Sequence, residues 1–384
     1  MVADVRRGTL SMRAVASRYG TSLSVVQYWV KRAAGQRLDR VCWNQRRGCR
    51  SPANRSSSKV EDQVLRIRKY LRDKSALGEC GPQAIRREML ERRCKKVPSA
   101  RTIARILERR GALDGRRRVR RPPPPHGWFL PEVAARHAEL DNFDIVEDLV
   151  IRGGGDVNVL TGISLHGGLC AAWPQERITA KFTVQALEAF WREFGLPGCV
   201  KFDNDTVFQG AHQFPDNFGR VTRMCLSLGV TPVFAPPRET GFQADIESFN
   251  GRWQAGVWQR FTFRDLDGVQ RQSRLYVNAS RSKSQARIQE APPRSPFPKD
   301  WRLDLQTPLQ GTVIFLRRTD GQGYTTVLGH SLLTSSDWCN RLVRAEVDLT
   351  GHELRFYALR RRDPTRHRHL GTHPYEPPTK RFHE

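Results

Sequence analysis

The 384-residue sequence has no long hydrophobic run. Its longest stretch without a charged residue, residues 157–175, is interrupted by Asn, Thr, Ser, His, Gly and Pro. A membrane-spanning helix needs about 20 mostly apolar residues. The opening residues MVADVRRG lack the apolar segment of a secretory signal. The eight cysteines form no CxxC pair, which argues against a disulfide framework or a zinc site. These absences predict a cytoplasmic chain with reduced thiols and no membrane partner.

Acidic residues are scarce in the N-terminal third. Residues 1–125 hold 33 Lys and Arg but only 10 Asp and Glu, whereas the rest of the chain holds 32 and 29. The net charge of +26 is therefore concentrated at one end, which is typical of a protein that binds a polyanion. At about 150 residues per domain, the length predicts two to four domains.

The first basic segment has the pattern of a helix-turn-helix. Apolar residues recur at helical spacing over residues 12–19 and again over residues 25–30, on either side of Gly20. Two short helices joined by a Gly-containing turn are typical of this motif, although a plain helical hairpin has the same pattern. We predict a DNA-binding domain over residues 1–43, with a second helix that contacts the major groove and the phosphates. The groove-facing residues would be Ser24, Gln27, Tyr28 and Lys31, with Arg32 nearer the phosphates.

A second basic helical segment covers residues 59–115, after an Arg-, Ser- and Asn-rich linker at residues 44–58. Its third predicted helix carries three arginines at successive turns of the outer side, namely Arg101, Arg105 and Arg109. Such a row alone is usually a solvated face. Here it leads into the run RRRVRR, which begins with Arg116, Arg117 and Arg118, and then into four prolines. We therefore predict a second DNA-binding domain whose arginines contact phosphates.

The centre of the chain, residues 126–265, changes to a mixed α/β pattern. Short apolar segments alternate with amphipathic helices, which predicts a mixed sheet with helices on its faces. After about residue 263 the pattern becomes irregular and predicts a mobile linker. Alternating segments within residues 305–360 predict a small β-barrel of the SH3 kind.

Three acidic residues of the α/β region lie in contexts that hold a side chain rigidly. Asp141 lies in the strand-like segment ELDNFDI, Asp203 ends an apolar strand in KFDNDTVF, and Glu247 begins a long amphipathic helix. The same segments contain alternatives, because Asp144 competes with Asp141 and Asp205 with Asp203. Glu239 competes with Glu247 in the same way, and all of these acids could also be ordinary solvated residues.

Three carboxylates that converge repel one another unless cations neutralise them. Their hard oxygen atoms suit Mg²⁺ or Mn²⁺. Two such ions in one active site can activate the attacking oxygen and stabilise the leaving oxygen of an in-line displacement. Together with the basic N-terminal third, this chemistry indicates double-stranded DNA as the substrate.

The segments LDNFDI, VKFDNDTVFQG and ADIESFNGRW resemble the catalytic core of retroviral integrases and of bacterial insertion-sequence or Mu-like DDE transposases. The resemblance covers about residues 126–261. It implies a ribonuclease H-like core with a mixed five-stranded sheet, in which Asp141, Asp203 and Glu247 bind the metal ions.

The resemblance also implies DNA cleavage and strand transfer at the ends of a mobile element and into target DNA. The enzyme would act as a homo-oligomer on DNA in the bacterial cytoplasm, associated with the nucleoid, and an accessory ATPase is a further candidate partner. The chain departs from the family pattern, since it has DND where DNG is usual and a long spacing between Asp203 and Glu247. A catalytically inactive, sequence-specific DNA-binding regulator derived from a transposase is therefore the alternative function.

Overall fold

The chain forms two units, Met1–Ser58 and Lys59–Glu384, in a computed structural model. The described residues are 1–43, 55–113, 126–211, 214–239, 241–361, 367–378 and 382. Most of the predicted linker at 44–58 lies outside the described residues, as does the arginine run with Arg116, Arg117 and Arg118.

The first unit is helical. Its helices are α1 (Val2–Arg6), α2 (Met12–Arg18) and α3 (Leu23–Ala33), followed by a 3₁₀ turn at Leu38–Arg40. Ser11 caps α2 by accepting a 3.2 Å hydrogen bond from the Ala14 amide. Gly20 adopts a positive φ of 58° at the turn between α2 and α3, a conformation that suits glycine. The two helices predicted on either side of Gly20 are thus present, while their role in DNA binding stays a prediction.

The second unit begins with three helices, α4 (Ser58–Lys74), α5 (Pro82–Glu91) and α6 (Ala100–Arg109). Their apolar stripes share one buried core, which includes Val64, Ile67, Ile85, Met89, Ile103 and Ile106. Ser99 caps α6 through the Thr102 amide at 3.2 Å. The three helices predicted for this segment are confirmed.

The rest of the second unit is built on one large sheet. Its helices are α7 (Pro131–Ala134), α8 (Ala180–Phe194), α9 (Thr206–Gln209), α10 (Arg220–Ser227), α11 (Ala244–Trp253), α12 (Leu266–Lys283) and α13 (Gln285–Gln289). Its strands are β1 (Leu140–Ile151), β2 (Gly155–Ser164), β3 (Cys170–Gln175), β4 (Cys199–Phe202), β5 (Thr231–Phe234), β6 (Thr312–Arg318), β7 (Tyr324–Val327), β8 (His330–Leu333), β9 (Leu342–Asp348), β10 (Glu353–Ala358) and β11 (His369–Pro374). A π-helical turn at Gln254–Trp258 extends α11. In the described ranges, no helix combines the length and apolarity needed to span a membrane.

The sheet has nine strands, so the prediction of a five-stranded sheet is too small. The strand order is β11-β10-β9-β6-β5-β4-β1-β2-β3, and β7 and β8 form a separate hairpin. The prediction of a separate C-terminal barrel is wrong, because β6 pairs in parallel with β5 and β9 to β11 continue the same sheet. An unpaired strand edge exposes backbone donors and acceptors, and β6 satisfies those of β5.

The predicted linker after residue 263 is also wrong, because it contains the 18-residue helix α12. Asp265 caps this helix by accepting a 2.7 Å hydrogen bond from the Gly268 amide. Val269, Tyr276 and Val277 are buried against β3 and the π-helical turn. The segment is ordered because these apolar residues form one helical face.

Strand β1 separates the two apolar layers that cover the faces of the sheet. Phe143 belongs to the layer on the side of α8. Val146 belongs to the layer on the side of α11 and α12. Because side chains alternate along a strand, residues three positions apart point to opposite faces. This alternation decides which acidic residue of β1 approaches α11.

Candidate active site

The parallel pairing of β1 with β4 brings Asp144, which lies in the first half of β1, near Asp203, which follows the carboxyl end of β4. Asn142 lies opposite Lys201 in this pairing, and each acid follows two residues later along the chain. Both side chains are half-buried. Burial, followed by the charge of Asp203, raises the pKa of Asp144 to about 6. Burial also raises the pKa of Asp203. Burial therefore disfavours the ionised form of both carboxyls.

Asn250 joins α11 to this pair. Its Nδ2 donates a 2.7 Å hydrogen bond to Asp144 Oδ2, and its Oδ1 accepts a 2.7 Å hydrogen bond from Thr161 Oγ1 on β2. Asn250 lies one helical turn after Glu247, on the same edge of the helix. It therefore orients Asp144 and brings the first turn of α11 to the acids. Sequence reasoning assigned Asn250 no contact, although its spacing from Glu247 was the available signal.

Asp141 lies on the other face of β1, and the prediction that it binds metal is wrong. Arg294 contacts its two carboxylate oxygens at 2.9 and 2.6 Å. Trp191 Nε1 at 3.0 Å and Ser164 Oγ at 2.8 Å donate further hydrogen bonds. The side chain is buried and its charge is neutralised. Asp141 thus stabilises the packing of β1 against α8, and Asp144, three residues later, faces the site.

Glu247 lies in the first turn of α11, where its side chain is exposed. Its charge contributes to the raised pKa of Asp144, after burial and Asp203. The predicted inward stripe of this helix is confirmed, because all four of its members are buried: Ile246, Phe249, Trp253 and Val257. Packing of that stripe holds the backbone of Glu247 beside the sheet.

The two other competing acids have structural partners. Asp205 caps α9 by accepting a 2.7 Å hydrogen bond from the Val207 amide. Glu239 forms an ion pair with Arg318, and that hydrogen bond lowers the pKa of Glu239. Asp205 therefore stabilises the start of α9, and Glu239 ties its loop to Arg318 on β6.

Lys201 is a buried cation that sequence reasoning passed over. Its Nζ donates a hydrogen bond to the Phe242 carbonyl and lies 5.0 Å from the centre of the Phe129 ring. Burial lowers its pKa to about 8, while Asp245, Glu247 and Asp144 favour its charged form. The sequence feature that could have predicted this buried lysine is its position as a lone cation inside the apolar strand that precedes Asp203. The bond to Phe242 also anchors the loop before α11.

The donor set at the sheet edge fits a hard divalent cation. Within the described ranges, Asp144, Asp203 and Glu247 have no basic partner at ion-pair distance, whereas Asp141 and Glu239 each pair with an arginine. Carboxylate oxygens are the ligands that Mg²⁺ prefers. No group of three or more His, Cys, Asp or Glu among the described residues is arranged to hold a metal ion. Asp144 and Asp203 would therefore hold the cation, and Glu247 would have to move toward them to join it.

The residues predicted to contact DNA through α3 are mostly exposed. Ser24, Gln27, Tyr28 and Lys31 are exposed, and Arg32 is half-buried. Arg32 donates hydrogen bonds to the Tyr28 hydroxyl at 2.8 Å and to the Cys42 carbonyl at 3.3 Å. Arg32 therefore also supports the first unit itself.

The arginine row of α6 divides into two kinds of residue. Arg101 and Arg105 are exposed. Arg109 instead donates a 2.6 Å hydrogen bond to Glu61, whose side chain is buried in α4. Arg109 is exposed as well and forms an ion pair with α4, and its role as a phosphate-binding residue stays a prediction.

No protein-family model matches the chain, and no curated protein matches it. Among solved structures, the catalytic core domain of BIV integrase is 15% identical with a TM-score of 0.28, over 36% of this chain and 81% of that one. A simian T-cell lymphotropic virus intasome is 13% identical with a TM-score of 0.32, over 72% and 88%. The HTLV-2 integrase catalytic core domain in complex with magnesium is 13% identical with a TM-score of 0.26, over 42% and 86%. The chain is similar to these retroviral integrase structures.

Proposed function

We propose that this chain is a DNA transposase or integrase that cleaves and joins DNA strands with the help of divalent cations. The observation that carries the proposal is the half-buried pair formed by Asp144 on β1 and Asp203 after β4. Two acids whose burial raises their pKa, with no basic partner in the described ranges, attract a divalent cation strongly. The strongly basic N-terminal third supplies the attraction for DNA.

Each residue of the site has a separate task in this proposal. Asp144 and Asp203 provide oxygen ligands, and Asn250 keeps Asp144 oriented through its 2.7 Å hydrogen bond. Glu247 completes the ligand set by moving from the start of α11 toward the two aspartates. When bound, Mg²⁺ or Mn²⁺, two ions per site, would supply charge neutralisation for the phosphate and its attacking oxygen. Lys201 adds a buried positive charge that interacts with Asp144 and Glu247.

The chemistry is a pair of displacements at phosphorus. In cleavage, the oxygen of water forms a bond to phosphorus, the bond to the leaving DNA oxygen breaks, and a 3′-hydroxyl is released. In joining, that 3′-hydroxyl forms the new bond to a target phosphorus, and the target strand loses one of its phosphorus–oxygen bonds. One bond replaces another in the second step, so no external energy source is required. The proposal therefore does not depend on the accessory ATPase, while it includes a homo-oligomer on the DNA ends.

A DNA-binding regulator without catalysis is the second candidate. The observation that favours it is the absence, among the described residues, of three acids arranged to hold a metal ion. This protein would use the exposed face of α3 and the arginines of α6 to bind a specific site, and the acids would be inert.

A strand-transfer assay distinguishes these functions. The assay uses labelled DNA that carries the ends of the host element, with Mg²⁺ or Mn²⁺, and compares the wild type with Asp203→Asn and Glu247→Gln. Loss of a carboxylate ligand is expected to reduce joined products by about 100-fold or more while DNA binding stays within about twofold. The matched control is Asp205→Asn, because asparagine also caps a helix and leaves the charge of Asp203 in place.

The outcomes separate the two candidates. Joining by the wild type and by Asp205→Asn, but by neither ligand variant, supports the enzyme. Equal loss of joining and DNA binding in Asp203→Asn contradicts a catalytic role for Asp203. Specific DNA binding without cleavage, under conditions where a known transposase is active, favours the regulator.

A further inference from the structure

A cavity of about 600 Å³ lies in the second unit, and its lining includes none of Asp144, Asp203 and Glu247. It begins at Asn204, the residue after Asp203, and lies beyond the carboxyl ends of β4 and β6. The hairpin of β7 and β8 forms the opposite wall. Ligands of open sheets bind in such crevices beyond the carboxyl ends of parallel strands. The lining residues that matter here are Asn204, Gln209, Phe214, Arg317, Asp320 and Tyr324.

Arg317 gives this cavity a positive charge. Its guanidinium donates to the Asn204 Oδ1 at 3.0 Å and to the carbonyls of Ala235 and Leu316 at 3.3 and 2.9 Å. These bonds use three of its five N–H groups. Burial lowers the pKa of Arg317 to about 10, and no carboxylate within the described part of the chain forms an ion pair with it. A buried cation in this state is stabilised by an anionic ligand.

Gln209 gives the cavity an unmet hydrogen-bond acceptor. The side chain is only 8% exposed, and its Oε1 has no hydrogen-bond partner among the residues that the structure describes. A buried amide oxygen without a donor is costly, so a ligand with an N–H group is favoured. The exocyclic amino groups of DNA bases are donors of this kind.

Two aromatic rings complete the lining. Phe214 is 60% exposed and Tyr324 is 38% exposed. Exposed rings on a basic surface are the platforms on which unpaired bases stack. Asp320 lies on the same wall, where the amides of Gln322 and Tyr324 donate to its carboxylate and help to lower its pKa. Its negative charge disfavours a phosphate at this end of the cavity.

We propose that the cavity binds one unpaired nucleotide of the DNA strand, next to the phosphodiester that reacts at Asp144 and Asp203. The phosphate contacts Arg317, and the base stacks beside Phe214 and Tyr324 with its amino group toward Gln209. The role of this nucleotide as part of the reacting strand rests on the proposed function. Because Arg317 is hydrogen-bonded to Asn204, an occupied cavity positions the strand directly against the residue that follows Asp203.

The experiment measures binding of the full chain to two DNA probes in EDTA, so that catalysis is not required. One probe is a short duplex with a single unpaired 2-aminopurine nucleotide as a flap, and the other is the same duplex without the flap. Stacking of one base predicts that the flap probe binds about tenfold more tightly. It also predicts that 2-aminopurine fluorescence falls on binding, because its base stacks on an aromatic ring.

Two variants and one control locate the binding. Gln209→Leu and Tyr324→Ser are expected to lose most of the tenfold preference. The control is Leu275→Ser, since Leu275 is a 55% exposed apolar residue on α12, away from the cavity. It should keep the preference. Thermal unfolding of each variant confirms that the fold is intact, and the fluorescence of the wild-type complex tests the proposal independently of any variant.

The results have distinct meanings. No preference in the wild type, an unchanged preference in both cavity variants, or an equal loss in the Leu275 control overturns the nucleotide site. A parallel cleavage assay in Mg²⁺ tests the proposed function separately. Cleavage without flap preference refutes the cavity alone, while flap preference without cleavage leaves the cavity as a nucleotide site and refutes the enzyme.

Discussion

The Asp144→Asn variant should be more stable than the wild type when no divalent cation is present. The pKa of Asp144 rises from 3.8 to about 6 in the folded chain because of burial and the charge of Asp203. When Asp144 is ionised in both the folded and the unfolded chain, the free energy of unfolding is therefore about 3 kcal/mol lower than when it is protonated in both. An asparagine at this position removes the charge and keeps an oxygen that accepts the hydrogen bond of Asn250.

The stability that Asp144→Asn gains over the wild type should increase with pH. Below the unfolded pKa, both states are protonated and the two proteins are equally stable. As pH rises, the unfolded chain loses this proton first, so the wild type loses stability until pH passes the folded pKa. The variant is thus expected to gain about 1.5 kcal/mol near pH 5 and about 3 kcal/mol near pH 8.

Urea unfolding in EDTA at these two pH values measures the effect, with the slope checked for a common unfolding transition. The internal control is Asp141→Asn, three residues earlier on the same strand. That change leaves Arg294 buried with an uncompensated charge and should destabilise the fold by about 3–5 kcal/mol. A variant at Asp144 that is no more stable than the wild type near pH 8, or a gain that does not change with pH, would refute the reasoning.

Three further outcomes are expected. Mg²⁺ at about 100 times its Kd should stabilise the wild type by about 2.7 kcal/mol in a thermal melt. The stability of Asp203→Asn should not change on adding Mg²⁺. Equal shifts in the melting temperature of both proteins would place the cation elsewhere. Arg105→Ala should lower DNA affinity without changing the melting temperature, and should reduce the slope of log K against log salt by about 1. Arg109→Ala should instead destabilise the three-helix segment by about 1–3 kcal/mol, as judged by urea unfolding, since Glu61 loses a 2.6 Å partner.

The local sequence was sufficient to predict that Asp203 follows a strand and that Glu247 lies at the start of a helix. An apolar strand that ends in an acid places that acid at the sheet edge, and the stripe of α11 determines which side of the helix is buried. The choice between Asp141 and Asp144 also required knowing which helix covers each face of the sheet, because the two residues lie on opposite faces of β1. Only packing shows that α11 covers the face of Val146, whereas Phe143 meets α8.

The C-terminal strands were predictable as strands but not as a sheet. Apolar and polar residues alternate over Leu342–Asp348, and Thr312–Arg318 holds a short apolar run; both patterns are typical of strands, and both segments are strands. The pattern does not say which edge a strand joins, and β6 joins β5. Helix α12 was missed because its many Ser and Arg residues resemble a linker, although the cap at Asp265 and the helical spacing of its apolar residues were present.

The parallel pairing of β6 with β5 has a consequence for any attempt to isolate the catalytic region. The motif-bearing segment ends near residue 265, and a fragment cut there would lose the partner of Val233 and Phe234. Its sheet would end in a bare strand between apolar faces, an arrangement that promotes intermolecular pairing and aggregation. The smallest fragment that folds as a soluble monomer should therefore extend to the end of β11, and truncations in between should precipitate on expression.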